Sequence, residues 1–333
     1  MKKRFFAAAF AAMLLLSGCG TDTKEPVSKS AFVLNTIASI SIYEYSGKKD
    51  ASGLIDEAFA LCSEYENLLS RTIEGSDVCR LNESKGETVL VAPETEYLIR
   101  QAVYFSELSD GAFDITIAPA SVLWDFNSES PLVPGKDALD EAVALIGYEN
   151  ISFGEDGITL RNGAKIDLGG IAKGYITDRL VDYLKENGVK SAIVNLGGNI
   201  YAAGRRDSRD FNIGIKKPFG ENSKLAGILH VSDTSVVTSG VYERYFERDG
   251  IKYHHILDPE TGMPVYNGID SVTIICPSSL YADALSTAAF VLGAEKGLRL
   301  IESMENTEAV FIMSDGSYIE SSGIGSAVSF DKQ

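Results

Sequence analysis

Asp283 and Thr287 stand four residues apart in "YADALSTAAFVLG" (281–293), a stretch with almost no other polar side chain. The apolar residues repeat at helical spacing, which puts the carboxylate and the hydroxyl on one face, about 5–6 Å apart at Cβ. A carboxylate in such a helix must be paired, protonated or bound to a metal. Together the two groups offer hard oxygen ligands, which suit Mg2+ better than a soft ion. Mg2+ takes few protein ligands and fills its shell with waters and phosphate oxygens. The alternative is an Asp placed near the positive end of a helix dipole.

Three other stretches carry reactive side chains. "YHHILDPETGMPV" (253–265) holds His254 and His255, two of only three histidines, ahead of the turn chemistry of Asp258, Pro259 and Gly262. In a strand-like run, neighbouring side chains point to opposite faces, so one imidazole faces a site and the other does not. An ordinary imidazole pKa of about 6.5 suits proton transfer near neutral pH. "SDGAFDITIAPASVLWDF" (109–126) sets Asp114 in an apolar context with the only Trp. "DLGGIAKG" (167–174) looks like a phosphate loop but has the spacing of neither a P-loop nor a dinucleotide fingerprint.

The elements that must position these groups follow from periodicity. Residues 53–70, 94–109, 137–147, 170–188 and 281–293 read as helices. Residues 32–45, 191–204 (strand, turn, strand), 211–217, 226–238 and 271–277 read as strands, with a terminal hairpin from "AVFIMS" and "YIES". Helices and strands mix without a strict βαβ rhythm. The expected class is therefore α+β, a mixed and largely antiparallel sheet with packed helices.

The first twenty residues, "MKKRFFAAAFAAMLLLSGCG", read as a signal peptide: a basic start and an apolar run too short to span a bilayer. "LSGC" (16–19) resembles a bacterial lipobox, which implies cleavage before Cys19 and lipidation of its sulfur. Residues 20–30 read as a polar tether and 31–333 as one catalytic domain. Loss of residues 1–18 removes three cations from a chain of formal charge −17. Such a surface argues against nucleic acid as a partner, and against anionic substrates unless a cation intervenes. Cys62, Cys79 and Cys276 lack metal-ligand spacing and read mostly as buried thiols, with a Cys62–Cys79 disulfide as the alternative.

Six segments in order, "GAFDITIAP…LW", "DLGGIAKGY", "VNLGGN", "TSGVYERYF", "HILDPETGMPV" and "ADALSTAAFVLG", closely resemble the ApbE family, the FAD:protein FMN transferases. The resemblance covers residues 32–325. It implies an α+β fold, binding of FAD and Mg2+, and transfer of FMN to a Thr or Ser hydroxyl of an acceptor protein with release of AMP. Acceptors of such proteins are subunits of membrane redox complexes and related flavoproteins. Members are commonly exported lipoproteins, so the expected location is the extracytoplasmic face of a bacterial membrane, held through Cys19.

Carried over residue by residue, the resemblance assigns the metal to Asp283, Thr287 and a carbonyl of the "DLGGIA" turn, Gly170 with Ala172 as the alternative. Gly170 precedes the helix proper, where a carbonyl is less committed to the ladder. It assigns FAD contacts to Leu34, Ala112, Phe113, Asp114, Asp167, Lys173, Ser239, Gly240 and His255. His255 is the implied base or orienting group, with Asp283 as the other catalytic residue, and Asp258 orients either the loop or the imidazole. Thr72 stands where many members carry a Tyr that stacks on FAD. That departure keeps open a Mg2+-dependent FAD pyrophosphatase. A lipoprotein that holds FAD without chemistry is the third reading.

Overall fold

The computed structural model describes residues 25–126, 128, 130–220 and 224–333. The expected signal peptide, Cys19 and most of the expected tether lie outside the described residues. The strands are β1 (Val27–Val33), β2 (Thr36–Tyr45), β3 (Ile151–Gly154), β4 (Gly157–Leu160), β5 (Val189–Leu196), β6 (Asn199–Ala203), β7 (Phe211–Lys216) and β8 (Leu225–Val231). They continue with β9 (Thr234–Gly240), β10 (Tyr245–Arg248), β11 (Ile251–His254), β12 (Ile269–Cys276), β13 (Glu308–Met313), β14 (Tyr318–Glu320) and β15 (Ser329–Lys332). The helices are α1 (Ala51–Leu69), α2 (Asp77–Glu83), α3 (Pro93–Leu108), α4 (Ala118–Trp124), α5 (Lys136–Val143), α6 (Ala172–Glu186) and α7 (Ser279–Glu302).

The main sheet runs β1-β2-β5-β6-β9-β12-β13-β14, and all its pairings are antiparallel. The expected α+β class is what the chain adopts. Helices α1, α6 and α7 pack on one face. The small β15-β8-β7 sheet covers the other. The central strands show why. In β13, Ala309 and Phe311 belong to the helix-side core, while Val310 and Ile312 belong to the opposite one. A strand buried on both faces reads as a continuous apolar run, which is how "SVTIIC" reads. Each large side chain so buried, such as Phe290 or Leu285, contributes roughly 1.5–3 kcal/mol.

Several expectations change. Residues 27–30 are not tether: they form the start of β1, with Val27 opposite Ile42 and Lys29 bonded to Asp56. The single strand expected over 32–45 is a hairpin turning at Leu34 and Asn35, both at positive φ. The strand expected over 226–238 is two, β8 and β9, broken at Asp233 (φ 49°). The helix expected over 281–293 runs on to Glu302 through a break at Gly293 (φ 82°), where the Asn267 side chain takes the freed Phe290 carbonyl. The 318–321 strand does form a hairpin with β13, but β15 follows it and pairs with β8. Among the described residues, Cys62, Cys79 and Cys276 are free thiols; Cys62 and Cys276 are buried and Cys79 is half-buried.

Candidate functional site

One end of the main sheet gathers the start of β2, the β5–β6 turn and the end of β9. Against that end sit the N-terminus of α6 and the first turns of α7. The two helices are fixed by reciprocal capping. Asp178 of α6 accepts from the backbone N–H groups of Ser279 (2.8 Å) and Leu280 (3.0 Å) and from the Ser278 hydroxyl (2.8 Å), closing the start of α7. Asp283 of α7 accepts from the Gly174 N–H at 2.9 Å, closing the start of α6. Such bonds satisfy the orphan donors of a helix end. Gly174 permits the approach: a Cβ there would lie 2.2 Å from the Ser279 carbonyl oxygen.

The dipole alternative for Asp283 therefore holds in an altered form. The carboxylate is not in the first turn of its own helix, whose cap is Ser278. It lies at the positive end of α6 instead. It is 3% exposed, so it must be compensated. Oδ2 serves the Gly174 amide, and Oδ1 faces the Lys173 ammonium at 3.5 Å. One oxygen is spent on the fold, and the other meets a cation.

The same diversion affects Gly170. In an α-helix the Gly174 N–H would bond to the Gly170 carbonyl. Here it donates to Asp283. The Ala172 N–H bonds to the Leu168 carbonyl and the Tyr175 N–H to the Ile171 carbonyl, leaving the Gly170 carbonyl outside the ladder. Gly170 also lies against the other expected donors: a Cβ built there would be 3.8 Å from Thr287 Oγ1 and 3.2 Å from the Phe113 ring. Ala172 is already the first residue of α6. Thr287 Oγ1 is 3.4 Å from Ser239 Oγ, which is 2.8 Å from Ser286 Oγ. Asp283, Thr287, Gly170, Ser239, Phe113 and Lys173 thus come together. Gly240, next to Ser239, closes β9.

Among the described residues, no cluster of three or more His, Cys, Asp or Glu side chains could hold a metal. A single carboxylate, a hydroxyl and a free carbonyl form the sparse donor set of a hard ion that brings its own waters, not of zinc. The residues fit Mg2+, and a cation, the Lys173 ammonium, already stands against Asp283.

His255 follows β11. Its backbone N–H donates to the Arg244 carbonyl (3.1 Å), and Nδ1 lies 3.3 Å from the same oxygen. A carbonyl only accepts, so Nδ1 carries the hydrogen and Nε2 keeps its lone pair. Burial pushes the imidazole down to about 3, helped by the charges of Arg244 and His254. His254 points the other way, into the core, and its Nε2 bonds to the Val265 carbonyl. Asp258 orients the loop, not the ring: Oδ1 accepts from the Glu260 N–H at 2.8 Å. Trp124 pins that loop through Nε1 to the Gly262 carbonyl at 2.7 Å.

The other residues expected to contact FAD take the following places. Asp114 is buried with both oxygens engaged, Oδ1 by Thr116 and Oδ2 by the Tyr148 N–H, so its carboxylate holds the 112–116 turn. Its neighbour Ala112 is half-buried. Asp167 is half-buried and bonded to Arg71 Nε (2.8 Å) and to the Gly169 N–H (2.9 Å). Leu34 sits at the β1–β2 turn, its N–H on Glu66. Thr72 is exposed, its hydroxyl 3.1 Å from Ser70 Oγ.

Sequence reasoning missed Glu243. It retains solvent access, yet protein crowds it, and burial raises its pKa to about 7 against the pull of Lys173 and Arg244. Its signal was the lone carboxylate of "TSGVYERYF". Arg71 and Asp178 were missed because their partners lie about a hundred residues away.

A model of the ApbE family matches residues 34–311. The FAD:protein FMN transferase of Treponema pallidum is 36% identical over 329 residues, spanning 93% of this chain and 91% of that protein. That of Klebsiella pneumoniae is 36% identical over 299 residues, 89% of this chain and 92% of the relative. Among solved structures, the ApbE protein of Thermotoga maritima superposes with a TM-score of 0.82 at 34% identity, covering 90% of this chain and 97% of its own. The flavin transferase ApbE of Vibrio cholerae gives 0.80 at 30% identity, covering 90% and 97%.

Proposed function

The chain belongs to the ApbE family, and we propose that, as an FAD:protein FMN transferase, it delivers FMN to a Thr or Ser hydroxyl of an exported acceptor flavoprotein in a Mg2+-dependent reaction. One observation carries the metal: the Gly174 amide turns to Asp283 and leaves the Gly170 carbonyl outside the helical ladder, in a residue that lies near the Thr287 hydroxyl. Asp283 Oδ1, Thr287 Oγ1 and the Gly170 carbonyl would hold Mg2+. When bound, the ion neutralises phosphate oxygens and the charge that develops on the departing phosphate.

The rest is the work of the chain. The acceptor oxygen bonds to the FMN-side phosphorus of FAD. The bond from that phosphorus to the bridging oxygen breaks, and AMP leaves with the bridging oxygen. His255 Nε2 takes the hydroxyl proton, while the Arg244 carbonyl holds the tautomer. Lys173 supplies a local cation for the pyrophosphate in a strongly acidic chain. Intact mass after incubation with FAD, Mg2+ and a candidate acceptor tests the reading. A covalent FMN adduct is expected; free FMN and AMP alone would make the protein a hydrolase, and unchanged FAD a carrier.

The exposure of Thr72 favours some hydrolysis as a side reaction. A ring over the cofactor would limit water, and stacking of this kind is worth roughly 0.5–1.5 kcal/mol, about a tenfold effect at most. Thr72→Tyr is expected to slow acceptor-free FAD hydrolysis by up to about tenfold. Equal rates in the two proteins would discard the idea.

We read the exported, lipid-anchored state as part of the same function. No helix among the described residues is long and apolar enough to cross a membrane, so attachment would rest on Cys19. Mass analysis of protein from the membrane fraction should find acyl lipid on Cys19, and its absence there would refute the anchor.

A further inference from the structure

The stretch from Ser70 to Asn82 has a task that FAD stacking does not explain. Both its ends grip the irregular segment that leads into the 167–171 turn. Asn82, on α2, pairs with Ile166 in both directions: Nδ2 donates to the carbonyl (2.9 Å), and Oδ1 accepts from the N–H (2.7 Å). Arg71 Nε donates to Asp167 Oδ2 at 2.8 Å. The same carboxylate takes the Gly169 N–H on Oδ1. The Gly169 carbonyl then accepts from Lys173 Nζ at 3.4 Å, and Lys173 faces Asp283 at 3.5 Å. An unbroken polar chain thus runs from Arg71 through the turn to the metal carboxylate.

Arg71 itself comes from a fixed base. The Ser70 N–H closes α1 on the Glu66 carbonyl, and the Ser76 hydroxyl donates to the Ser70 carbonyl. Asp167 is held from its backbone too, its N–H bonding to the Ile115 carbonyl at 2.7 Å. Arg71 and the Gly169 N–H together fix the Asp167 side chain, one on each oxygen. The Arg71 and Asp167 side chains are 32% and 26% exposed, so their pairing adds little to global stability.

We propose that Arg71 is a positioning residue, which acts through Asp167 to hold the Gly169–Gly170 turn with the Gly170 carbonyl aimed at the metal. On this account Asp167 serves the cofactor through the turn. The inference rests on the metal reading given above.

Mn2+ uptake, followed as loss of the free-ion EPR signal, reads the site without turnover. Arg71→Ala is expected to weaken Mn2+ binding at least tenfold. Its melting temperature should stay within about 2 °C of wild type, and FAD affinity in EDTA should be nearly unchanged. Arg71→Lys restores a cation without the planar Nε donor and should recover only part of the loss. Equal Mn2+ affinity in wild type and Arg71→Ala overturns the inference alone. An equal loss of FAD affinity in EDTA also overturns it, because Arg71 would then touch the cofactor. So does a melting temperature that falls in step with metal affinity in both variants. A wild-type protein that takes up no Mn2+ overturns the metal reading and this inference with it.

Discussion

Asp283→Ala is expected to lower Mg2+-dependent FMN transfer by about three orders of magnitude while the protein stays folded. Metal assistance supplies several kcal/mol of transition-state stabilisation, and each 1.36 kcal/mol is a factor of about ten in rate. The substitution removes the only carboxylate of the donor set. It also strips the Gly174 amide of its acceptor, which costs about 1–3 kcal/mol when the amide is left unbonded. Asp283→Asn separates the two effects. An amide oxygen still receives the Gly174 N–H, but the negative charge facing Lys173 is gone. The Asn variant should therefore melt close to wild type and still fail to turn over. Single-turnover AMP release across a Mg2+ titration, with a thermal melt of each variant, makes the comparison. Normal activity in Asp283→Asn at wild-type Mg2+ would remove the metal from this position.

His255→Gln should cost roughly 10²- to 10⁴-fold in transfer, the usual range for a positioned acid or base. FAD should still bind, since the fold around the 255–264 loop is held by Asp258 and Trp124. The pH profile is the sharper measurement. With its pKa down at about 3, His255 is neutral throughout the physiological range and needs no deprotonation before it acts. The acid limb of kcat/KM that belongs to this residue should therefore lie well below pH 6.5. Stability follows the same sign. An unfolded imidazole near 6.5 takes up a proton that the native one refuses, so the native state loses stability as pH falls from about 6.5 towards 3. His255→Gln removes that contribution. A limb centred at 6.5 and abolished by the substitution would mean that the ring is solvated and ordinary.

The parts of the fold that were legible are those whose patterns local packing enforces. Helix α1 and the buried strands β12 and β13 announce themselves through long apolar periodicity. What escaped was set by contacts distant in sequence. Helix α2 is a polar seven-residue segment, with a Ser76 cap and an Asp77 carboxylate shared between Arg80, Thr95 and the Ala92 N–H. No local pattern marks it. The turns at Leu34–Asn35 and Asp233 were hidden because β-like residues continue on both sides of each.

The site divides in the same way. Asp283 and Thr287 could be found because their spacing is a helix repeat in an apolar stretch. Gly170 joined them only through the family resemblance and through a hydrogen bond made elsewhere. Asp114 entered through the family resemblance, and in the fold its two oxygens hold the 112–116 turn. Arg71 and Glu243 are ordinary charged residues until the chain folds.

The reciprocal caps between α6 and α7 tie two equilibria into one. The carboxylate that would hold the ion is also the plug of the neighbouring helix, so fraying of either helix end loosens both. By linkage, a cation that binds only the native arrangement adds about 1.4 kcal/mol to stability at ten times its Kd. That increment is spent at the α6–α7 seam, where Asp178 and Asp283 each close the other's helix. If the ion binds there, heat and chelators would attack this protein at the same joint.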